Sequence, residues 1–473
     1  MGTLMMKPVT SLLLFGALLG FGSAAMAQEV SDPPSPRQMM LAAGYKAMFT
    51  CSATFNAGKT PEQIAAHELD HIYPDYEPAM ALLPDAVIDR KKKLVSVQYS
   101  EDMPPRVSVW QGATGCVAMP AGTSLQQADA RSDILLYQLP YRPSKTPWPA
   151  GDVVSDTPLP ADKQEALGTV VGQAFAGDFK GRTTAVVIVQ DGDIVAEQYI
   201  DGFSVHTSQR TWSVAKSIAA SVIGAAVQQD ILTVEETVNL ADWQDDPRQA
   251  MTLENLLHMA SGLDSEPAGN RTDDVYFGGG LVTEHATKGA LLAPPGEKWR
   301  YANNDTMLAM LVLKDRMDNQ EAYLDFPFEA LLNKIGMFHT NPETDWQGNF
   351  VLSSQVWTTA RDLARLGMLY LNDGVWDGER ILPEGWADYV STPAPAQPPC
   401  RSDNGCRQYG AQFWLYKDYP GVPNDTYAAL GNRGQFLIIV PSRDVVIVRR
   451  GYDWRENYFD GPVFTAAVLE ALE

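Results

Sequence analysis

The sequence predicts an α+β fold: an antiparallel sheet flanked by helices, an all-helical lobe beside it, and a small N-terminal α+β domain in front. Three observations carry this. Two hairpin signatures lie far apart, at residues 183–199 and 436–450. A helical pattern precedes the first and another follows the second. The long stretch between them is mostly helical in period, which places a helical lobe between two halves of one sheet. Composition agrees with compact folding: 473 residues, 45% hydrophobic and 20% charged, with 37 Gly, 32 Pro and 4 Cys. Those values rule out disordered, collagen-like and disulfide-dominated chains.

In chain order, residues 1–27 carry Lys7, an apolar run at 12–21 and the end Ala25-Met26-Ala27. A basic start, a short apolar stretch and an A-x-A end make a secretory signal peptide, so export to the periplasm is expected. The run is shorter than the roughly 20 residues of a membrane span, and no later stretch is long and apolar enough to cross. Residues 28–139 combine a helix after Thr60-Pro61 with alternating stretches such as 94–99, the small α+β domain, whose role the sequence leaves open. Residues 140–160 hold Pro140, Pro143, Pro147, Pro149, Pro158 and Pro160 and read as a linker. Beyond it, 161–473 forms the main domain. It opens with a helix at 161–176 and a strand at 183–189. Asp191-Gly192 then turns the chain into a second strand at 194–199. Helical patterns follow at 253–259 and 360–370. Strands at 436–440 and 445–450 flank Pro441-Ser442-Arg443-Asp444, and a last helix begins after Gly461-Pro462, where Pro suits the first helical position.

Lys and Arg total 36 against 58 acids, a net charge of -22. Nucleic acid requires a basic footprint that is missing, and Arg90-Lys91-Lys92-Lys93 reads as a solvated turn. The expected partner is a small molecule, and the oligomeric state is left open. Four cysteines allow three pairings. The nearest-neighbour scheme, Cys51–Cys116 and Cys400–Cys406, keeps each bridge within one segment and suits an oxidising compartment; four buried thiols are the alternative. None has a metal-site spacing.

The chemistry centres on Trp212-Ser213-Val214-Ala215-Lys216, the one S-x-x-K in the chain, opening an apolar run at 218–227. Residues three apart share a helical face. Ser213 would sit in the first turn, where free N–H groups favour negative charge. Lys216, one turn inward, would be desolvated, and desolvation lowers an ammonium pKa. A neutral lysine touching a hydroxyl can take its proton and activate the serine without histidine. After Pro294-Pro295-Gly296 comes Tyr301-Ala302-Asn303, a Y-x-N string on a loop. Its phenol can pass a proton to a leaving group, and Asn303 can bond the lysine or a substrate carbonyl. The second Y-x-N, Tyr370-Leu371-Asn372, lies on a helical apolar period and reads as core. Gly431-Asn432-Arg433-Gly434-Gln435 precedes a strand, so the N–H groups of Ser213 and Gln435 can form an oxyanion hole.

These three strings, in this order, resemble the serine β-lactamase and penicillin-binding-protein superfamily, over about 161–473. The Y-x-N form is similar to the branch with class C β-lactamases, family VIII carboxylesterases, D-aminopeptidase-like enzymes and 6-aminohexanoate-dimer hydrolases. Stretches 252–263 and 359–367 resemble further segments of that branch. The resemblance implies a β-lactamase-like fold, an acyl-enzyme made at Ser213 with Lys216 and Tyr301, no cofactor, and substrate contacts from Asn303, Asn432, Arg433 and Gly434. One departure matters: Asn432-Arg433-Gly434 stands where penicillin-recognising members carry Lys-Thr-Gly. The planar head of Arg is not a Lys substitute and the hydroxyl is gone. Small esters or linear amides are therefore expected, with β-lactams or D-amino-acid peptides on the same site as the alternative.

Two rivals remain. His67-Glu68-Leu69-Asp70-His71 is a literal H-E-x-x-H, which on a helix would set two imidazoles one turn apart for zinc in a peptidase. Its helix is short, and the third ligand would have to come from Asp85, Asp89 or Glu101. A non-catalytic exported binding protein is the other, against which the intact Ser213, Lys216 and Tyr301 argue. A G-x-S-x-G elbow is absent, so His206, His258, His285 and His339 are assigned to structure. The loop at 273–280 reads as a mobile cover.

Overall fold

The computed structural model describes residues 33–130, 145–154, 159–240, 243–265, 272–402 and 404–473. Residues 1–27, read above as a signal peptide, and much of the Pro-rich stretch lie outside the described residues.

The first helix, α1 (Pro36–Phe55), starts where Ser35 and Gln38 form a capping box and Pro36 takes the first position, which satisfies free N–H groups at the helix start. α2 (Pro61–His67) repeats the device with Thr60 and Gln63. Four short strands follow: β1 (Val87–Asp89), β2 (Leu94–Val97), β3 (Arg106–Trp110) and β4 (Cys116–Ala118). They pair in that order, antiparallel throughout. α1 is buried from Leu41 to Thr54, and the Cys51–Cys116 disulfide ties it to β4. Cys400–Cys406 forms the second bridge, so both cysteine pairs are nearest neighbours as expected.

α3 (Ala161–Ala176) leads into the first hairpin, β5 (Thr183–Gln190) and β6 (Asp193–Tyr199). Then come β7 (Gln209–Arg210), α4 (Val214–Gln228), α5 (Leu253–Leu257), α6 (Asp273–Tyr276), α7 (Asn303–Asp315), β8 (Asn341–Pro342), β9 (Val356–Thr358) and α8 (Ala360–Leu371). The chain closes with β10 (Cys406–Tyr409), β11 (Trp414–Lys417), β12 (Tyr427–Gly431), β13 (Gln435–Val440), β14 (Val445–Gly451) and α9 (Gly461–Leu472). The seven-stranded sheet runs β10-β11-β12-β13-β14-β5-β6, every pair antiparallel. The two hairpins meet as neighbours β14 and β5, pairing Arg449 with Val186, 263 positions apart.

Both faces of this sheet are covered, so its central strands are apolar at nearly every position. On β5, Ala185, Val187 and Val189 face the core containing α4 and α8. Val186 and Ile188 face the smaller core under α3 and α9. α4 is buried from Val214 through Ala226, as an all-round apolar helix must be. Gly367 of α8 lets that helix lie on the sheet, since a Cβ there would come within 2.5 Å of Val446 Cγ1.

Residues 34–473 form one compact unit. The α+β segment ahead of residue 139 shares a continuous core with the main sheet, with Phe49 and Val95 in the same cluster as Val187 and Leu437. A buried ion pair also braces the sheet behind the β12–β13 turn. Arg449 and Asp453 are fully enclosed and bonded at 2.9 Å, and Asp453 also accepts from the N–H groups of Arg182 and Phe459. Removing one partner strands a buried charge, so Asp453→Ala is expected to cost about 3–5 kcal/mol, read as a lowered urea or thermal midpoint.

Candidate active site

Ser213 is the N-cap of α4. The bonds Val214 N–H to Thr211 O, Ala215 N–H to Trp212 O and Lys216 N–H to Ser213 O wind the entry as a tight three-residue turn. Trp212, just ahead, is held at φ +51°, a left-handed conformation that a bulky residue adopts only when its surroundings impose it. Its indole lies 3.6 Å under the Arg210 guanidinium. The Ser213 hydroxyl makes no capping bond, and its N–H has no partner among the described residues.

Lys216 is 1% exposed. Its Nζ donates to Asn303 Oδ1 and to the Ser353 carbonyl, each at 2.7 Å, and lies 3.3 Å from Ser213 Oγ. Burial lowers its pKa to about 7, with the Asp305 carboxylate opposing that shift. A neutral amine has two N–H bonds and one lone pair. The two short acceptors take the N–H groups, and the lone pair is left for the serine proton.

Tyr301 completes the group. Burial pushes its pKa well above the ordinary phenol value, with the Ser213 side chain opposing that shift, so it stays neutral through the working range. The ring lies 4.9 Å from Lys216 Nζ and is held by Tyr409 and Trp414. Asn303 opens α7; while its Oδ1 accepts from Lys216, its Nδ2 donates to Thr272 Oγ1 at 2.8 Å. Ser213, Lys216, Tyr301 and Asn303, spread over 90 residues, therefore converge. Tyr370 of the second Y-x-N is core, bonded to Ser221 Oγ at 2.8 Å.

The β12–β13 turn lies against the nucleophile. A Cβ on Gly431 would come within 2.2 Å of the Thr211 carbonyl and 3.3 Å of Ser213 N, so this position must be glycine. Gln435 pairs with Gly431 at the last rung of the hairpin. Its side chain is also occupied, with Nε2 donating to the carbonyls of Arg433 and Gly451 and Oε1 accepting from Arg450 Nε. The Asn432 N–H, next to Gly431, has no partner among the described residues. Arg433 turns away from Ser213: its Nη1 donates to His67 O at 2.6 Å and its Nη2 to Asp70 O at 2.9 Å. Gly434 is structural, because a Cβ there would meet Arg449 Nη1 at 2.0 Å.

Several partners had no sequence signature. Ser353 contributes only a backbone carbonyl, and Thr272 is far from any motif. Asp305 is fully buried, accepts from Ser261 Oγ at 2.9 Å and is raised by burial to about 7. Its position two residues past Asn303 on the same helix was the available clue.

The H-E-x-x-H reading is corrected. α2 ends at His67, where the Ile64 carbonyl takes the N–H groups of both Glu68 and Leu69. His71 lies beyond the helix at φ +46°. The two imidazoles do not share a helical face: His67 stacks on Tyr452 and His71 on Trp454. Glu68 is buried against Lys59 Nζ at 2.6 Å and Tyr452, which leaves it no role as a base. The loop at 273–280 is likewise fastened rather than loose. Tyr76 bonds Asp273, Arg37 bonds Asp274 at 2.7 Å, Tyr276 bonds Ser353 Oγ at 2.8 Å, and Arg106 and Trp346 donate to the carbonyls of Phe277 and Gly279.

The model of the Beta-lactamase family matches residues 173–449. A 6-aminohexanoate-dimer hydrolase of Paenarthrobacter ureafaciens is 24% identical over 302 residues, covering 56% of this chain and 72% of that relative. Among solved structures, a candidate 6-aminohexanoate-dimer hydrolase from Bacillus anthracis superposes with a TM-score of 0.52 at 22% identity, over 64% of this chain and 81% of that one. A penicillin-binding-protein homologue from Caulobacter crescentus gives 0.50 at 16% identity, over 67% of this chain and 100% of that one. At these identities the solved structures speak for the fold. α1, α2 and β1–β4 lie outside the matched stretch.

Proposed function

Because the chain belongs to the β-lactamase family and so to the hydrolases that work through a serine acyl-enzyme, we propose that it cleaves small esters or linear amides by attack of Ser213. The observation that carries this reading is Lys216 Nζ, held by two 2.7 Å acceptors with Ser213 Oγ at 3.3 Å. In the first step the Ser213 proton moves to Lys216 as Oγ bonds to the substrate carbonyl carbon. The carbonyl oxygen, now negative, is met by the Ser213 N–H and a donor of the β12–β13 turn. The Asn432 N–H, without a partner among the described residues and next to Gly431, where a Cβ would lie 3.3 Å from Ser213 N, suits that second place. As the tetrahedral species collapses, the proton passes from Lys216 through Tyr301 to the leaving alcohol or amine. Water then attacks the ester, giving its proton back along the same path, and Ser213 is released with the acid. Since Tyr301 stays a neutral phenol, it relays protons and Lys216 is the base. The scheme needs no cofactor.

The engagement of Arg433 by His67 and Asp70 supports neutral esters and linear amides over substrates with a carboxylate, such as β-lactams. The leader-like residues 1–27 and the two disulfides support a periplasmic enzyme. The test is mass spectrometry after a serine-directed phosphonate: one adduct on the peptide holding Ser213 is expected, with nitrophenyl ester hydrolysis blocked in proportion and unaffected by chelator. Faster turnover of a chromogenic cephalosporin than of short esters would reverse the substrate ranking.

A pH prediction follows. Below its pKa Lys216 is an ammonium with no lone pair, so kcat/KM should rise with pH through a limb near 7. Asp305, raised to about the same value, holds the proton on Lys216 by its charge, and the limb belongs to the pair. Asp305→Asn keeps the shape and removes the charge; the limb should move to lower pH, checked by pH–rate profiles of both proteins.

A further inference from the structure

A cavity of about 250 Å³ opens beside the nucleophile, between the N-terminal segment and the turn that carries Asn432. One wall is Tyr45, His71 and Tyr73, from the stretch that the family model does not cover. Trp212, Trp454 and Tyr458, with Arg433, complete the lining. Asn432 also lines the cavity, and Gly431 next to it packs so closely on the loop before α4 that a Cβ there would lie 3.3 Å from Ser213 N, which sets the cavity next to Ser213. The lining rings hold one another in place: His71 lies flat on Trp454 at 5.0 Å, and Tyr73 meets Trp212 edge-on at 6.2 Å. Tyr458, at the rim, is 50% exposed, unusual for a large aromatic with no packing duty. Arg433 is 4% exposed, its guanidinium donates to carbonyl oxygens, and it lies 5.2 Å from the Tyr452 ring. Cations of this kind favour the electron-rich face of a ring.

We infer that this cavity is a substrate subsite for a single planar aromatic group, so that the enzyme favours aryl-bearing esters or amides over aliphatic ones of equal size. The volume suits one ring with a short substituent, given that a cavity of about 150 Å³ takes up benzene. Aromatic pairs add about 0.5–1.5 kcal/mol beyond area burial, which corresponds to a preference of about 2- to 10-fold. The inference rests on Ser213 as nucleophile for its link to catalysis, while the cavity itself can be tested apart from turnover.

The experiment uses the full chain carrying Ser213→Ala, titrated with methyl phenylacetate and with methyl cyclohexylacetate while tryptophan fluorescence is followed. Binding of the aromatic ester at least threefold tighter is expected, with the difference lost when Trp454→Ala or Tyr458→Ala is added. Equal binding of the two esters, or a preference untouched by both replacements, would overturn the subsite. The enzyme with Ser213 intact is then assayed on the same pair. Aromatic preference in binding without any hydrolysis would sink the proposed function and leave the subsite standing. Hydrolysis without preference would do the reverse.

Discussion

Ser213→Ala is expected to lower kcat for a nitrophenyl ester by about 10⁴–10⁶-fold, the range seen when a serine nucleophile is removed from a cooperating set. The reason is local. The hydroxyl lies 3.3 Å from the Lys216 amine, and an alanine methyl offers neither proton nor lone pair. The N-cap position makes the change structurally mild, because Ser213 contributes no side-chain cap bond to α4. The folded protein should therefore keep its unfolding midpoint while losing the burst of nitrophenol and the phosphonate adduct. A variant that retains more than a hundredth of the activity would place the nucleophile elsewhere.

Lys216→Met should cost nearly as much by another route. Methionine fills similar volume but supplies no base, and positioned general bases contribute about 10²–10⁴-fold. The replacement also leaves Asn303 Oδ1 and the Ser353 carbonyl without their 2.7 Å donor. Unlike the serine change, it should leave slow labelling by the phosphonate, because the hydroxyl survives unactivated. The diagnostic is the pH profile. The limb near 7 should vanish and be replaced by a rate that climbs steadily with hydroxide, measured from pH 5 to 9. A limb that stays at 7 in Lys216→Met would show that another group, with Asp305 the first to examine, titrates there.

Much of this site was legible from local pattern. Three-residue spacing on an apolar helix places Ser213 and Lys216 on one face wherever the helix ends up. The Y-x-N string after a Pro-Gly turn marks Tyr301 and Asn303 in the same way. Asp191-Gly192 closes a hairpin because glycine accepts φ +85° there. The H-E-x-x-H string shows the limit. It asks for helix through His71, but Glu68 turns inward to a lysine and a tyrosine, Lys59 and Tyr452, and the helix stops. Arg433 misleads likewise. The string suggests a substrate cation, whereas its hydrogen bonds go to carbonyls 363 and 366 residues away.

Helix faces, hairpin turns, capping boxes and nearest-neighbour disulfides were determined by the sequence itself, since each depends on residues a few positions apart and on fixed backbone geometry. Tertiary packing alone decided which carbonyl accepts from Lys216, which turn donor is left free near Ser213, and that the N-terminal segment lines a cavity beside the β12–β13 turn. Those outcomes depend on burial. A polar group removed from water must take whatever partner the fold brings within reach, and the chain's linear order does not say which partner that will be.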